Sequence, residues 1–192
     1  MIALTGDIVD EDHDSISSVE DLLKGIKDLA PIYFVTGNHE LTSLAATQYQ
    51  ELLALLQKYG VTDLDNDSVK LKKGGQSITL YGRQYFSQYL TDSLPIASDK
   101  DFDILLYHGS DNFKEIAPYH YDLILSGHAH GGIVRLPIWG GIFGNDGTFF
   151  PEYAGGEYTI GDATLISSRG LGDASIPRFN NPPELVVIKL NP

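Results

Sequence analysis

The chain has 192 residues, 42% of them hydrophobic and 20% charged, a composition that fits a folded globular protein long enough to bury a core. Its 13 Lys and Arg stand against 26 Asp and Glu, and the net charge of -13 argues against a duplex nucleic acid as partner, since phosphate backbones demand clustered cations. With no cysteine, disulfides, thiolate metal sites and a cysteine nucleophile are all excluded.

Ile2-Ala3-Leu4 reads as a buried strand that runs at once into Gly6-Asp7, delivering a carboxylate where open α/β sheets gather their ligands. An acidic connection follows from Asp10 to Asp14; it lacks the glycine and terminal glutamate of a calcium loop, so apart from Asp10 it reads as a solvated linker. Ser17 and Glu20 have capping-box spacing, and Leu22, Leu23, Ile26 and Leu29 supply the apolar stripe of a helix of about three turns that Pro31 ends. Residues 32–36 form a second β-rich run, stopping at the glycine of TGNHE. A helix is expected over about residues 43–59, capped by Gly60. This β-α-β-α alternation predicts a largely parallel sheet.

Further on, residues 69–72 and 78–81 flank Gly74-Gly75 and predict a hairpin. Residues 83–101 show no clear period and read as loop or short helix. Two apolar runs, 103–107 and 121–125, predict strands ending at His108 and at Gly127-His128. Residues 131–157 are rich in Gly, Pro and aromatics, a long loop of the kind that shapes a pocket or a surface contact. Within it, Trp139, Phe143, Phe149, Phe150 and Tyr153 could meet a lipid or a sugar, although packing on the chain's own sheet is the commoner outcome. Strands are expected at 158–160, 164–167 and 185–188. No repeat or boundary interrupts the chain, so residues 1–192 read as one domain. No apolar run approaches the ~18 residues of a membrane span, and no signal peptide is visible.

Four strand ends thus carry polar motifs: GDIVD at 6–10, GNHE at 37–40, the His of YHG at 107–109, and GHAH at 127–130. Asp, Asn and His make a mixed oxygen and nitrogen ligand set suited to Mn, Fe or Zn. The glycines let the backbone turn sharply so that the next side chain enters the crevice. A lone strand-end histidine is more often structural, yet four ordered motifs make metal binding the better reading. His13 and His120 stay outside this set. Neither a GxSxG elbow nor a Walker A loop is present, so serine and P-loop hydrolases have no support.

On these motifs the chain resembles the calcineurin-like metallophosphoesterase superfamily, whose signature runs DxH, GDxxD, GNH[DE], an isolated His, then GHxH; the last four occur here in order. HAHGGIVRLP, SSRGLG at 167–172 and the IPRFNNPPELVVIKL ending resemble one bacterial branch, whose members are often membrane-associated or exported. The resemblance implies an α/β fold of two mixed β-sheets packed face to face and flanked by helices, with the site at the carboxyl strand ends. It implies Asp7 as a carboxylate bridging two divalent metal ions, Asn38, His108 and His128 as the remaining ligands of the second, and His130 as a ligand of the first. His39 matches the non-ligand histidine that protonates the leaving oxygen or stabilises the transition state, while Asp10 and Glu40 match acids that orient the ligands. Arg169 and Arg178 weigh evenly between substrate contact and structural ion pairing.

One motif departs. DxH belongs on a strand before GDIVD, yet six residues precede Asp7 and a β-α-β unit takes roughly 30. The resemblance therefore implies an N-terminally truncated domain without its first strand and helix, whose first metal keeps only Asp7 and His130. The sheet edge so exposed would invite a dimer. The implied activity is hydrolysis of a phosphomonoester, phosphodiester or pyrophosphate, on a small molecule or a lipid, by two-metal activation of water. The alternative is a catalytically impaired metal-binding or structural protein that retains one ion. Localisation is left open, with membrane association of the full-length protein following the bacterial branch.

Overall fold

The computed structural model describes residues 1–10, 15–85, 90, 94–97, 101–144, 147–172 and 177–191. Its first half is built from β1 (Ile2–Leu4), α1 (Ser15–Ile26), β2 (Ile32–Phe34), α2 (Asn38–Thr42), α3 (Ala46–Lys58) and β3 (Thr62–Asp63). The strands form a parallel sheet in the order β1-β2-β3, as the alternation of strand and helix predicts. Both long helices cover one face of it: Val19 and Leu23 from α1 and Leu52 and Leu56 from α3 pack with Ile32 and Phe34. The helix α1 starts at Ser15 because Ile16 already packs on this core, which leaves the Ser17–Glu20 pair inside the helix rather than at its cap. Glu20 instead accepts hydrogen bonds from Lys58 Nζ and Tyr59 OH, both 2.8 Å, and ties α1 to α3.

The second half comprises β4 (Ser68–Lys73), β5 (Gln76–Arg83), β6 (Phe102–Gly109), α4 (Phe113–Ile116), β7 (Leu123–Gly127), β8 (Val134–Leu136), β9 (Gly140–Phe143), β10 (Gly156–Ile160) and β11 (Ala163–Ser167). Six of these strands make a mixed sheet, β10-β11-β7-β6-β5-β4, and β8 and β9 a separate hairpin. The β4–β5 turn at Gly74-Gly75 is the expected one, with both glycines at positive φ. Successive side chains of a strand face opposite ways. On β6 and β7, Ile104, Leu106, Leu123 and Leu125 therefore meet Tyr33, Val35 and Leu64 of the first sheet, while Leu105, Tyr107 and Ile124 pack outward on Phe113, Ile116 and Tyr121. The two sheets lie face to face, with α1 and α3 outside one and α4 outside the other.

Two expectations change. Residues 131–157 hold the β8–β9 hairpin and the start of β10 rather than an unbroken loop. The strand expected at 185–188 pairs with no strand among the described residues, and Leu185 and Val187 stand mostly exposed. An apolar run alone makes no strand when no neighbour offers its hydrogen bonds. His13, with residues 86–89, 91–93 and 98–100 of the irregular stretch, lies outside the described residues. No helix among the described residues is long and apolar enough to cross a membrane.

Candidate metal centre

The carboxyl ends of β1, β2, β6 and β7 converge, and glycine makes the convergence close. A Cβ added at Gly6 would meet the Gly37 backbone, and one added at Gly37 would meet the Asp7 carboxyl. These two residues let the neighbouring strand ends touch backbone to backbone, which a side chain at either would prevent. Asp7, His128 and His130 all hold left-handed backbone, at φ 51°, 67° and 49°. Asp and His tolerate that region better than most residues, and strain of this kind gathers at functional sites.

Around His108, itself buried, the donors gather. Its Nδ1 lies 2.6 Å from the Thr5 carbonyl and its Nε2 lies 2.9 Å from Asp7 Oδ2, 3.2 Å from Asn38 Oδ1 and 3.1 Å from His128 Nδ1. The ligand atoms of Asp7, His108 and His128 all fall within 4.8 Å of one another. Burial pushes the Asp7 carboxyl up, but the hydrogen bond and charge of His108 outweigh it and hold Asp7 below the ordinary carboxylate range. Burial pushes the His108 imidazole down, and the Asp7 contacts with the Thr5 carbonyl outweigh it, so His108 is raised.

These contacts test whether a metal fits. Thr5 accepts the Nδ1 proton, so a neutral His108 turns the Nε2 lone pair toward two oxygens and a second imidazole. Lone pairs gathered in this way repel one another unless a proton or a cation sits among them. A proton meets the need in part; a divalent cation meets it for all four donors, and the mixed oxygen and nitrogen set suits Mn, Fe or Zn. The carbonyl that fixes a ligand's tautomer is a regular outer partner of metal-bound histidine.

His39 and Glu40 sit on α2 directly after Asn38. The His39 amide donates to Asp7 Oδ1 at 2.9 Å, its Nδ1 lies 3.0 Å from Ser43 Oγ, and its Nε2 lies 3.9 Å from Asp7 Oδ2. Glu40, 1% exposed, accepts from the amides of Asp7, Ile8, Val9 and Gly37 and so locks GDIV against the start of α2. Burial and the Asp7 charge push its carboxyl up, against the pull of the Gly37 and Asp7 amides.

The remaining residues fall further out. His130 stands apart from the Asp7–His108–His128 cluster, with Nδ1 3.4 Å from Arg178 Nη2. Burial first, then the Arg178 charge, lowers its imidazole to about 4. Arg178 also donates to the Gly172 carbonyl, and Arg169 pairs with Glu184 at 2.9 Å. Asp10 is exposed at the end of its motif. Four contributors escape a motif reading: the Thr5 carbonyl, Ser43, Tyr85 and Asn181. Tyr85 packs its ring edge-on to His108 and tilted to His128, both at 5.3 Å. Buried Asn181 donates to the His130 and Gly132 carbonyls and pins the GHAHGG turn. Of these only Ser43, one helical turn beyond His39, carries a signal in sequence, through the i, i+4 spacing.

The family model for calcineurin-like phosphoesterases matches residues 1–132, and the chain belongs to that family. It is 28% identical over 198 residues to the uncharacterized metallophosphoesterase YkuE of Bacillus subtilis, covering 99% of this chain and 67% of that protein. The phosphodiesterase YaeI of Escherichia coli is 26% identical over 192 residues, covering 99% of this chain and 70% of YaeI. In fold, the chain is similar to the sulfate thiohydrolase SoxB of Thermus thermophilus, with a TM-score of 0.53 at 16% identity, over 87% of this chain and 33% of SoxB.

Proposed function

We propose that the chain is a metal-dependent phosphoesterase that hydrolyses a phosphomonoester, phosphodiester or pyrophosphate, with Asp7 shared between two divalent ions. The observation that carries this reading is the gathering of Asp7, Asn38 and His128 donor atoms around Nε2 of His108. Asp7, Asn38, His108 and His128 would hold one ion, and Asp7 with His130 the other. Bound there, divalent ions supply Lewis acidity toward phosphoryl oxygens and a water acidic enough to attack near neutral pH. Thr5 keeps the His108 proton on Nδ1 and so keeps Nε2 free for a ligand's role. Ser43 engages Nδ1 of His39, which leaves Nε2 to hold the proton given to the leaving oxygen. Glu40 keeps both motifs in register through its four amide contacts. Positive charge brought by the ions offsets a protein of net charge -13 at the point where a phosphate must approach.

A second reading has its own observation. His130 has its Nδ1 3.4 Å from Arg178 Nη2 and is not among the residues whose ligand atoms lie within 4.8 Å of one another, which favours a single held ion and an impaired enzyme. Metal content after reconstitution with Mn, read beside turnover of p-nitrophenyl phosphate and bis-p-nitrophenyl phosphate, separates the two. The phosphoesterase reading expects turnover that chelation abolishes, loss of metal in His108→Ala, and a kcat lower by about 100-fold or more in His39→Ala with metal content unchanged. One ion per chain without turnover would favour the impaired alternative, and hydrolysis indifferent to chelation would sink both.

A further inference from the structure

Residues 131–151 carry two charged side chains, Arg135 and Asp146, in a protein of net charge -13. Four backbone segments lie side by side here: Phe179 bridges to Val134 of β8, Val134 pairs with Phe143 of β9, and Phe143 bridges to Phe149. Distant apolar residues thereby join in one ribbon, rooted at the glycines that follow His130 and carrying Ile138 and Trp139 at its free turn. Packing on its own sheet does not account for it. Ile138 is wholly exposed, and Trp139, Phe149, Phe150 and Phe179 are each 61–75% exposed, whereas Tyr153 is the aromatic that does enter the core. Ile138 also holds a φ of 77°, strained for a β-branched residue, and gains no burial in return.

We propose that this ribbon docks the chain on a phospholipid bilayer, with the β8–β9 turn entering the interface and the metal centre brought beside the lipid surface. The residue types fit that occupant: indole and phenyl rings with an aliphatic tip settle at the boundary between acyl chains and head groups. Charge fits as well. Three of the four arginines in the chain stand at the base of the ribbon; Arg169, beside Gly131, is paired with Glu184, while Arg135 and Arg178 bring positive charge to where head-group phosphates would lie. A second copy of the chain would bring its own charge of -13 against the first and is the poorer occupant. The proposal needs no phosphoesterase activity, and its test uses none.

Trp139 is the only tryptophan, so its fluorescence reports the ribbon alone. Titrating the whole chain with phosphatidylcholine vesicles is expected to shift its emission to the blue, with quenching by brominated acyl chains and co-sedimentation of the protein. Ile138→Ser with Phe150→Ser, both at exposed positions, should weaken partitioning by about tenfold or more while the melting temperature stays put. Emission unmoved by millimolar lipid would overturn the proposal. So would a blue shift that follows protein concentration without lipid, which marks a second copy, or retention on insoluble peptidoglycan with no response to vesicles, which marks a glycan surface. Vesicle binding unchanged in the double variant would also overturn it, by placing the contact elsewhere.

Discussion

A methyl group at Gly37 would strike the Asp7 carboxyl and amide, and one at Gly25, near the end of α1, would meet nothing within 4 Å. The two substitutions should therefore act in opposite directions. Gly37→Ala is expected to lower stability by about 1–3 kcal/mol through overpacking and to abolish tight Mn binding. Gly25→Ala should raise stability by about 0.5–1 kcal/mol, since alanine loses less backbone entropy in a helix. Urea unfolding with a Mn titration on each variant checks both, and a Gly37→Ala protein that binds Mn normally would remove the strand-end contact from the account. Gly6 and Gly37 are visible as motif letters at two strand ends. Their contact with each other is not, because it depends on a parallel register between residues thirty apart.

The turn 127–132 after β7 shows what a segment adds to its residues. Its half-buried His130 is lowered from 6.5 to about 4, by desolvation first and the Arg178 charge second. Because folded His130 resists protonation, the unfolded chain binds more protons between those values, and stability rises with pH across that window. In the metal-free chain this contribution, up to about 3 kcal/mol, should be complete above pH 6.5 and lost as pH falls through about 4. Denaturant midpoints in EDTA from pH 7 to 4 should fall less steeply for His130→Gln than for the parent; equal slopes would contradict the assignment. Of the strands that end on site motifs, β2, β6 and β7 are legible from their unbroken apolar runs, since a strand buried on both faces needs no partner's identity to be recognised. Short elements are not. The two residues of β3 and the three of β8 are strands because β2 and β9 supply hydrogen bonds, a cause that propensity does not contain. The same absence of a partner explains why residues 185–188, β-rich on paper, form no ladder among the described residues.

Over the whole molecule, two features oppose each other. The outer edge of β1 is unpaired among the described residues, and the apolar segment from Leu185 to Leu190 lies exposed, so edge pairing between chains is invited. A net charge of -13 resists it. Raising salt to about 1 M, where screening shortens to about 3 Å, should therefore raise the mass seen by light scattering toward a dimer, and Val187→Lys should hold it at the monomer. A parent chain monomeric at every salt concentration would show that neither edge pairs. One arrangement reaches further. The first sheet supplies Asp7 and Asn38, all before residue 64, and the second supplies His108 and His128, all after residue 101. A cut between β3 and β4 would leave each fragment with half of the donors and neither with a centre. The candidate metal site would in this sense be a built-in reporter of reassembly, silent in either part and restored only when the two layers find each other.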